Sequence, residues 1–135
     1  MGALDGKVVV VTGAGQGIGR EEALACARAG AAVVADDLAG AAGTAAAITD
    51  QGGRALALEH DVGDFEAAGR LVAAAVETFG GLDIAFNNAG ISPPDDDSIL
   101  VTGLDAWRRV QEVNLTSVYL CCKAAIPHMQ ARGRG

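Results

Sequence analysis

The sequence has few cysteines, few prolines and no long apolar run, and these shortages exclude several classes of protein. Cysteine occurs three times, at Cys26, Cys121 and Cys122, and an odd number without a CxxC pair argues against a disulfide framework or a zinc site. We expect free thiols packed as small apolar residues. No run approaches the roughly 18 apolar residues of a membrane span, and the first six residues do not resemble a signal peptide. A soluble, cytoplasmic protein is therefore expected.

Positive charge is also scarce. The chain has 10 Lys and Arg against 17 Asp and Glu, for a net charge of -7. An acidic chain repels phosphate backbones and anionic lipids, so neither nucleic acid nor a membrane surface is an expected partner. What the chain does have is apolar residues, 50% of its 135 positions, which is enough to form one core and predicts a single domain over residues 1–135.

Short β-branched runs alternate with longer helical stretches. Strands are predicted at 7–12, 31–36, 54–60 and 82–87. Helices are predicted at 17–29 and 39–51. A third helix is predicted from the N-cap Asp64 to Phe79, and a last long helix after a capping box of Thr102 and Asp105. Pro127 is expected to kink or end the last helix. This β-α order predicts an α/β fold, a doubly wound parallel sheet of about four strands with helices on both faces.

A glycine-rich turn, TGAGQGIG over residues 12–19, follows the first strand. Glycines there allow backbone N–H groups to approach a diphosphate closely, and the helix that begins at Gly17 directs its positive dipole end at the same phosphates. No Lys-Ser/Thr follows the glycines, which excludes a P-loop, and the GxGxxG spacing is not met either. The spacing that fits is TGxxxGxG, and it predicts a dinucleotide site.

This spacing resembles that of the short-chain dehydrogenase/reductase family, and further motifs agree over nearly the whole chain. Asn87-Asn88-Ala89-Gly90 resembles the NNAG segment that closes the fourth strand, and Asp61-Val62 resembles the pair that holds the adenine ring. Asn114 resembles the helix asparagine that holds a water in the family's proton relay. The resemblance implies a Rossmann-type NAD-binding domain and an oxidoreductase that moves hydride between a nicotinamide and an alcohol or ketone.

The resemblance also implies a choice of cofactor. Asp37 lies at the end of the second strand, where an acidic side chain accepts hydrogen bonds from the adenosine ribose and repels a 2′-phosphate. Gln16 and Leu38 are uncharged where NADP-dependent relatives tend to carry a basic residue, so NAD is the implied cofactor. Asp36 is the rival candidate for the ribose. The implied cofactor-binding residues are Gly13, Gly15, Gln16, Gly17, Ile18, Gly19, Asp37, Asp61, Val62, Asn88, Ala89 and Gly90.

The chain departs from the family at its catalytic residues. In the family these are a Ser and a Tyr-x-x-x-Lys pair after a fifth strand, whereas this sequence ends at Gly135. Tyr119 and Lys123 match YxxxK by spacing, but no Ser-bearing strand separates them from the fourth strand, so Tyr119 is expected to be a packing or interface residue. Asn114 is then the one implied member of the catalytic machinery, and we expect the chain alone to be inactive. A truncated gene product, a deliberately shortened piece and a frameshifted reading all fit this pattern.

Two other functions stay open on the sequence. One is a non-catalytic NAD-binding or interaction module. The other is a methyltransferase of similar fold, which the NNAG segment and the glycine spacing disfavour. No metal site is expected, because residues 95–97 are typical of a solvated acidic loop and neither His60 nor His128 has a partner at ligand spacing.

Association with another chain is expected. The fourth strand, residues 82–87, would lie at an edge of the sheet and offer unpaired backbone groups. On the last helix an apolar patch would be uncovered, made up of Val110, Val118, Tyr119 and Cys122. The sequence therefore predicts a homo-oligomer or a complementing chain.

Overall fold

The computed structural model describes residues 1–135 and contains one four-stranded parallel sheet with helices on both faces. The strands are β1 (Val8–Thr12), β2 (Ala32–Asp37), β3 (Arg54–Glu59) and β4 (Ile84–Phe86); the helices are α1 (Gly17–Arg28), α2 (Ala41–Asp50), α3 (Ala67–Phe79), α4 (Leu104–Gln111) and α5 (Ser117–Ala131). A π-helical turn, Glu112–Thr116, joins α4 to α5. The strand order is β3-β2-β1-β4, which confirms the predicted doubly wound fold.

The two faces of the sheet are covered by different helices. Because side chains alternate along a strand, Val8 and Val10 of β1 pack against α3 and α5, whereas Val9 and Val11 pack against α1 and α2. All four are buried, as expected of a central parallel strand. This sandwich aligns the carboxyl ends of the strands at one edge, where the loops that carry the sequence motifs meet.

Two predicted helix starts are wrong. The third helix begins at Ala67 and not directly after Asp64; the Asp64 side chain instead accepts a hydrogen bond from the N–H of Glu66 at 3.1 Å, within a turn before the helix. The capping box at the start of α4 does not form. Gly103 occupies the N-cap, and the Thr102 hydroxyl oxygen accepts the N–H of Asp97 at 3.2 Å, so it is used within the loop.

Pro127 does not end the last helix. α5 continues through it to Ala131, losing one backbone hydrogen bond where proline has no N–H. The fourth strand is shorter than predicted, three residues paired with β1, although the preceding Leu82 is fully buried. None of the helices has both the length and the apolar character needed to cross a membrane.

Candidate functional site

The glycine turn connects β1 to α1 and lies against the segment that follows β4. Gly13 and Gly17 have positive φ values of 67° and 56°, which only glycine adopts readily. A Cβ at Gly13 would come within 2.9 Å of the Cα of Ala89, whereas a Cβ at Gly17 would point into open space. No side chain caps α1, so the N–H groups of its first turn are available to an anion.

Asp37 is bound to this turn. Its Oδ2 accepts the backbone N–H of Gly15 at 2.8 Å, and its Oδ1 accepts that of Leu38 at 2.7 Å. Asp37 is the last residue of β2. It lies on the same face of the strand as Val33 and Ala35, which pack on the α1 side of the sheet. The carboxylate is therefore held beside the glycine turn with lone pairs still available on both oxygens.

Asp36 points to the other face of the sheet. It is fully buried, and neither carboxyl oxygen has a hydrogen-bond partner. Nδ1 of His60 lies 3.3 Å from Oδ1 of Asp36. Burial, with a smaller contribution from the charge of Asp37, raises the pKa of Asp36 to about 7, and burial lowers the pKa of His60. Sequence reasoning found no partner for His60, because nothing in the spacing relates it to β2.

The NNAG segment is tied to the end of β1 by side-chain hydrogen bonds. The Asn88 amide Nδ2 donates to the carbonyls of Thr12 and Gly13 at 3.1 and 3.3 Å. The hydroxyl of Thr12 accepts the N–H of Ala89 at 3.1 Å and donates to the carbonyl of Phe86 at 3.3 Å. Thr12 thus joins the end of β1 to β4 and to the segment that follows β4. The sequence analysis did not assign it a role.

Asp61 follows β3 and contacts α4. Its Oδ1 accepts the N–H of Gly63 at 2.8 Å, and its Oδ2 accepts Nη2 of Arg109 at 2.7 Å. Val62 is buried beside it, and the Val62 N–H is not hydrogen-bonded within the chain. Sequence reasoning missed Arg109, since no local signal links a helix cation to a loop 48 residues away.

Asn114 lies in the π-helical turn and is bound to the segment after β4. Its Oδ1 accepts the N–H of Ile91 at 2.7 Å, and its Nδ2 donates to the carbonyl of Ile91 at 2.9 Å. Both polar atoms of the Asn114 amide are therefore hydrogen-bonded to the backbone of Ile91. Short π-helical turns of this kind often occur at functional sites. Here the turn fixes the position of the loop beyond Gly90.

A cavity of about 350 Å³ gathers most of the predicted site residues at the carboxyl ends of the strands. Its walls are formed by Gly13, Gln16, Ile18, Asp37, Leu38, His60, Asp61, Val62, Asn88, Ala89, Gly90, Ile91, Arg109 and Val113. Gly15 and Gly17 line an open groove next to it, at the start of α1. Gly19 and Asn114 line neither one. Another cavity, of about 390 Å³, lies at the opposite edge of the sheet and contains none of the predicted residues.

The family model for short chain dehydrogenases matches residues 7–135. This chain belongs to the short-chain dehydrogenase family. It is 45% identical over 130 residues to cis-4-hydroxycyclohexanecarboxylate dehydrogenase of Sinomonas cyclohexanicum, an alignment that covers 96% of this chain and 52% of the relative. It is 42% identical to L-rhamnose 1-dehydrogenase (NAD(P)(+)) of Azotobacter vinelandii, over 96% of this chain and 52% of that protein.

Solved structures give the same assignment. A short chain dehydrogenase from Mycobacterium avium superimposes with a TM-score of 0.92 and 38% identity, over 98% of this chain and 49% of that one. The chain thus spans about half the length of the relatives it matches. The fold and the dehydrogenase family are established, and the cavity corresponds to the crevice at which open α/β sheets bind ligands.

The YxxxK-like pair of this short-chain dehydrogenase chain lies away from the cavity. Nζ of Lys123 donates to the Tyr119 hydroxyl at 3.4 Å, one turn apart on α5. The Tyr119 side chain is 59% exposed and lines none of the cavities described above. No three of the chain's His, Cys, Asp and Glu side chains are grouped so as to hold a metal ion.

Proposed function

We propose that this chain is the NAD-binding portion of a short-chain dehydrogenase that transfers hydride between nicotinamide and an alcohol or ketone carbon. The observation that carries the proposal is the single cavity in which the glycine turn, Asp37, Asp61 and the NNAG segment meet. The relatives named above are dehydrogenases, which favours the same class of reaction. When bound, NAD supplies the hydride acceptor, and the protein supplies binding and orientation.

The diphosphate would be held at the start of α1. Three features support this position: the uncapped first turn, the open space in front of Gly17, and the groove that runs past Gly15. Backbone N–H groups and the positive end of the helix dipole bind such an anion without a basic side chain. An acidic chain therefore has a local means of binding a charged dinucleotide.

The adenosine would occupy the cavity between β2 and β3. Asp37 is oriented by two backbone N–H groups and can accept the ribose hydroxyls, while its negative charge repels the 2′-phosphate of NADP. Neither Gln16 nor Leu38, which line the same cavity, offers a compensating cation. Asp61 can accept a hydrogen bond from the donor on the edge of adenine, and the unpaired N–H of Val62 can donate one to the neighbouring acceptor. These contacts support NAD as the cofactor.

The nicotinamide would then lie toward the segment 88–90, which Thr12 and Asn88 hold against β1. Asn114 would act at this end by fixing Ile91 and the loop that follows Gly90. Since Tyr119 lies outside the cavity and is exposed to solvent, we do not assign it the role of proton donor. We expect these 135 residues to bind NAD without measurable turnover.

Replacing Gly17 by Val tests the proposal. The Cβ branch would fill the space that the diphosphate needs, so NAD binding measured by calorimetry should be lost. Gly52→Val is the matched control, because Gly52 also has a positive φ, 81°, and open space around its Cβ, but lies at the opposite edge of the sheet. Loss of NAD binding in Gly17→Val alone is expected. Equal NAD affinity in both variants would contradict the proposal.

We also propose that the protein acts in the cytoplasm as a homo-oligomer or together with a complementing chain. Association is supported by large apolar residues exposed in the π-helical turn and on α5, Leu115 at 64% and Tyr119 at 59%. Light scattering over a dilution series should give a mass above that of a monomer. A concentration-independent monomer would contradict this part of the proposal.

A further inference from the structure

Arg109 is the only Lys or Arg side chain that lines the cavity. It extends from α4 to the loop after β3, where its Nη2 donates to Oδ2 of Asp61 at 2.7 Å. Its other terminal nitrogen lies 3.9 Å from Oε2 of Glu112, on the same helix. The Arg109 cation is therefore paired with carboxylates, and its shorter contact is with Asp61.

Gly63 provides the space for this contact. A Cβ at Gly63 would lie 2.8 Å from Nη1 of Arg109 and 3.1 Å from Oδ1 of Asp61. The backbone N–H of Gly63 also donates to that same Oδ1, at 2.8 Å. Each oxygen of Asp61 is thus held by a different donor, which fixes the plane of the carboxylate.

Stability does not account for this arrangement. The Arg109 and Asp61 side chains are 41% and 36% exposed, and ion pairs of such exposure contribute little to the free energy of unfolding. Both residues line the cavity, together with Val62, whose N–H is unpaired. The contact between Arg109 and Asp61 instead determines the direction in which the Asp61 carboxylate points.

We propose that Arg109 is a positioning residue that orients Asp61 to accept the 6-amino group of adenine, so that the site selects a 6-amino purine over a 6-oxo purine. This inference rests on the proposed NAD binding. A carboxylate oxygen that already accepts one hydrogen bond has room for another, and the amino group of adenine can donate it. A 6-oxo purine presents an oxygen there, which the fixed carboxylate repels, and a site that accepts a hydrogen bond from its ligand disfavours an analogue that lacks the donor.

The test compares affinities for NAD and for nicotinamide hypoxanthine dinucleotide, in which the 6-amino group is replaced by an oxo group. Calorimetry on the unmodified chain should show a preference for NAD. In Arg109→Gln that preference should fall by about 5-fold or more, the usual effect of losing a charge-assisted contact. Gly63→Ala should lower it as well, by displacing the guanidinium without changing any charge. Arg109→Lys should retain part of it.

Arg108→Gln is the matched control, since Arg108 is the exposed neighbour on α4 and takes part in none of the chain's ion pairs. The preference of this variant for NAD should equal that of the unmodified chain. Thermal unfolding of every variant should be unchanged. An unaltered preference for NAD in Arg109→Gln overturns this inference but not the proposed function. A loss of NADP affinity that exceeds the loss of NAD affinity also overturns it, by making Arg109 a phosphate ligand. If the unmodified chain does not bind NAD, the proposed function fails as well.

Discussion

Asp36 and Asp37 are neighbours on β2, and the two faces of the sheet give them opposite environments. Asp37 lies on the α1 face, where two backbone N–H groups hold its carboxylate beside the glycine turn. Asp36 lies on the α3–α5 face, fully buried and without a hydrogen bond to either oxygen. Strand alternation alone separates a carboxylate beside the glycine turn from a carboxyl in the core. The comparison shows that register, more than residue type, decides which acid lies beside the glycine turn.

The largest effect we expect concerns Asp36 and the free energy of unfolding. Its pKa rises from 3.8 to about 7 on folding, so the native state favours the protonated form. The stabilisation is complete below pH 3.8 and is lost as the pH rises toward 7, at about 1.4 kcal/mol per pKa unit and hence a few kcal/mol at most. Urea unfolding of the unmodified chain and of Asp36→Asn should show the variant gaining relative stability across this window.

His60 titrates with the opposite sign. Its pKa is lowered from 6.5, so the stability that it contributes is present above pH 6.5 and is lost as the pH falls below that value. Because Asp36→Asn retains His60, the difference between the pH profiles of the unmodified chain and the variant isolates the contribution of Asp36. Parallel pH profiles for the unmodified chain and Asp36→Asn would contradict the account of the buried face.

A smaller effect, on cofactor affinity, is expected at the α1 face. Asp37→Ala should weaken NAD binding by about 1–3 kcal/mol, the cost of losing a charge-assisted hydrogen bond. Asp36→Ala should weaken it less, because that side chain points away from the glycine turn. Calorimetry on both variants at pH 7 makes the comparison. A greater loss of NAD affinity in Asp36→Ala would reverse the assignment of the two faces.

The sequence predicted the parts of the site that depend on local pattern. A buried strand followed by glycines indicated the turn at 13–17, and register at the end of the second strand favoured Asp37 over Asp36. Contacts between distant segments left no such pattern. Arg109 meets Asp61 only because α4 crosses the carboxyl edge of the sheet, and the hydrogen bonds of Thr12 depend on the β1–β4 pairing.

Helix details were the least predictable part of the fold. Thr102 has the residue type of an N-cap, but a loop N–H uses its hydroxyl. Pro127 is tolerated inside α5, because packing of neighbouring residues such as Ala125 outweighs the loss of one hydrogen bond. The π-helical turn around Asn114 has no signature in composition, and the contact of the Asn114 amide with Ile91, 23 residues away, has no local pattern either.

The most direct test of the central claim is a calorimetric titration of the unmodified chain with NAD and with NADP. The account predicts that NAD binds more tightly, because the Asp37 carboxylate faces the position of the 2′-phosphate and no cation offsets it. It also predicts that Asp37→Ala narrows the difference between the two affinities. Tighter binding of NADP, or a difference that Asp37→Ala does not change, would contradict it.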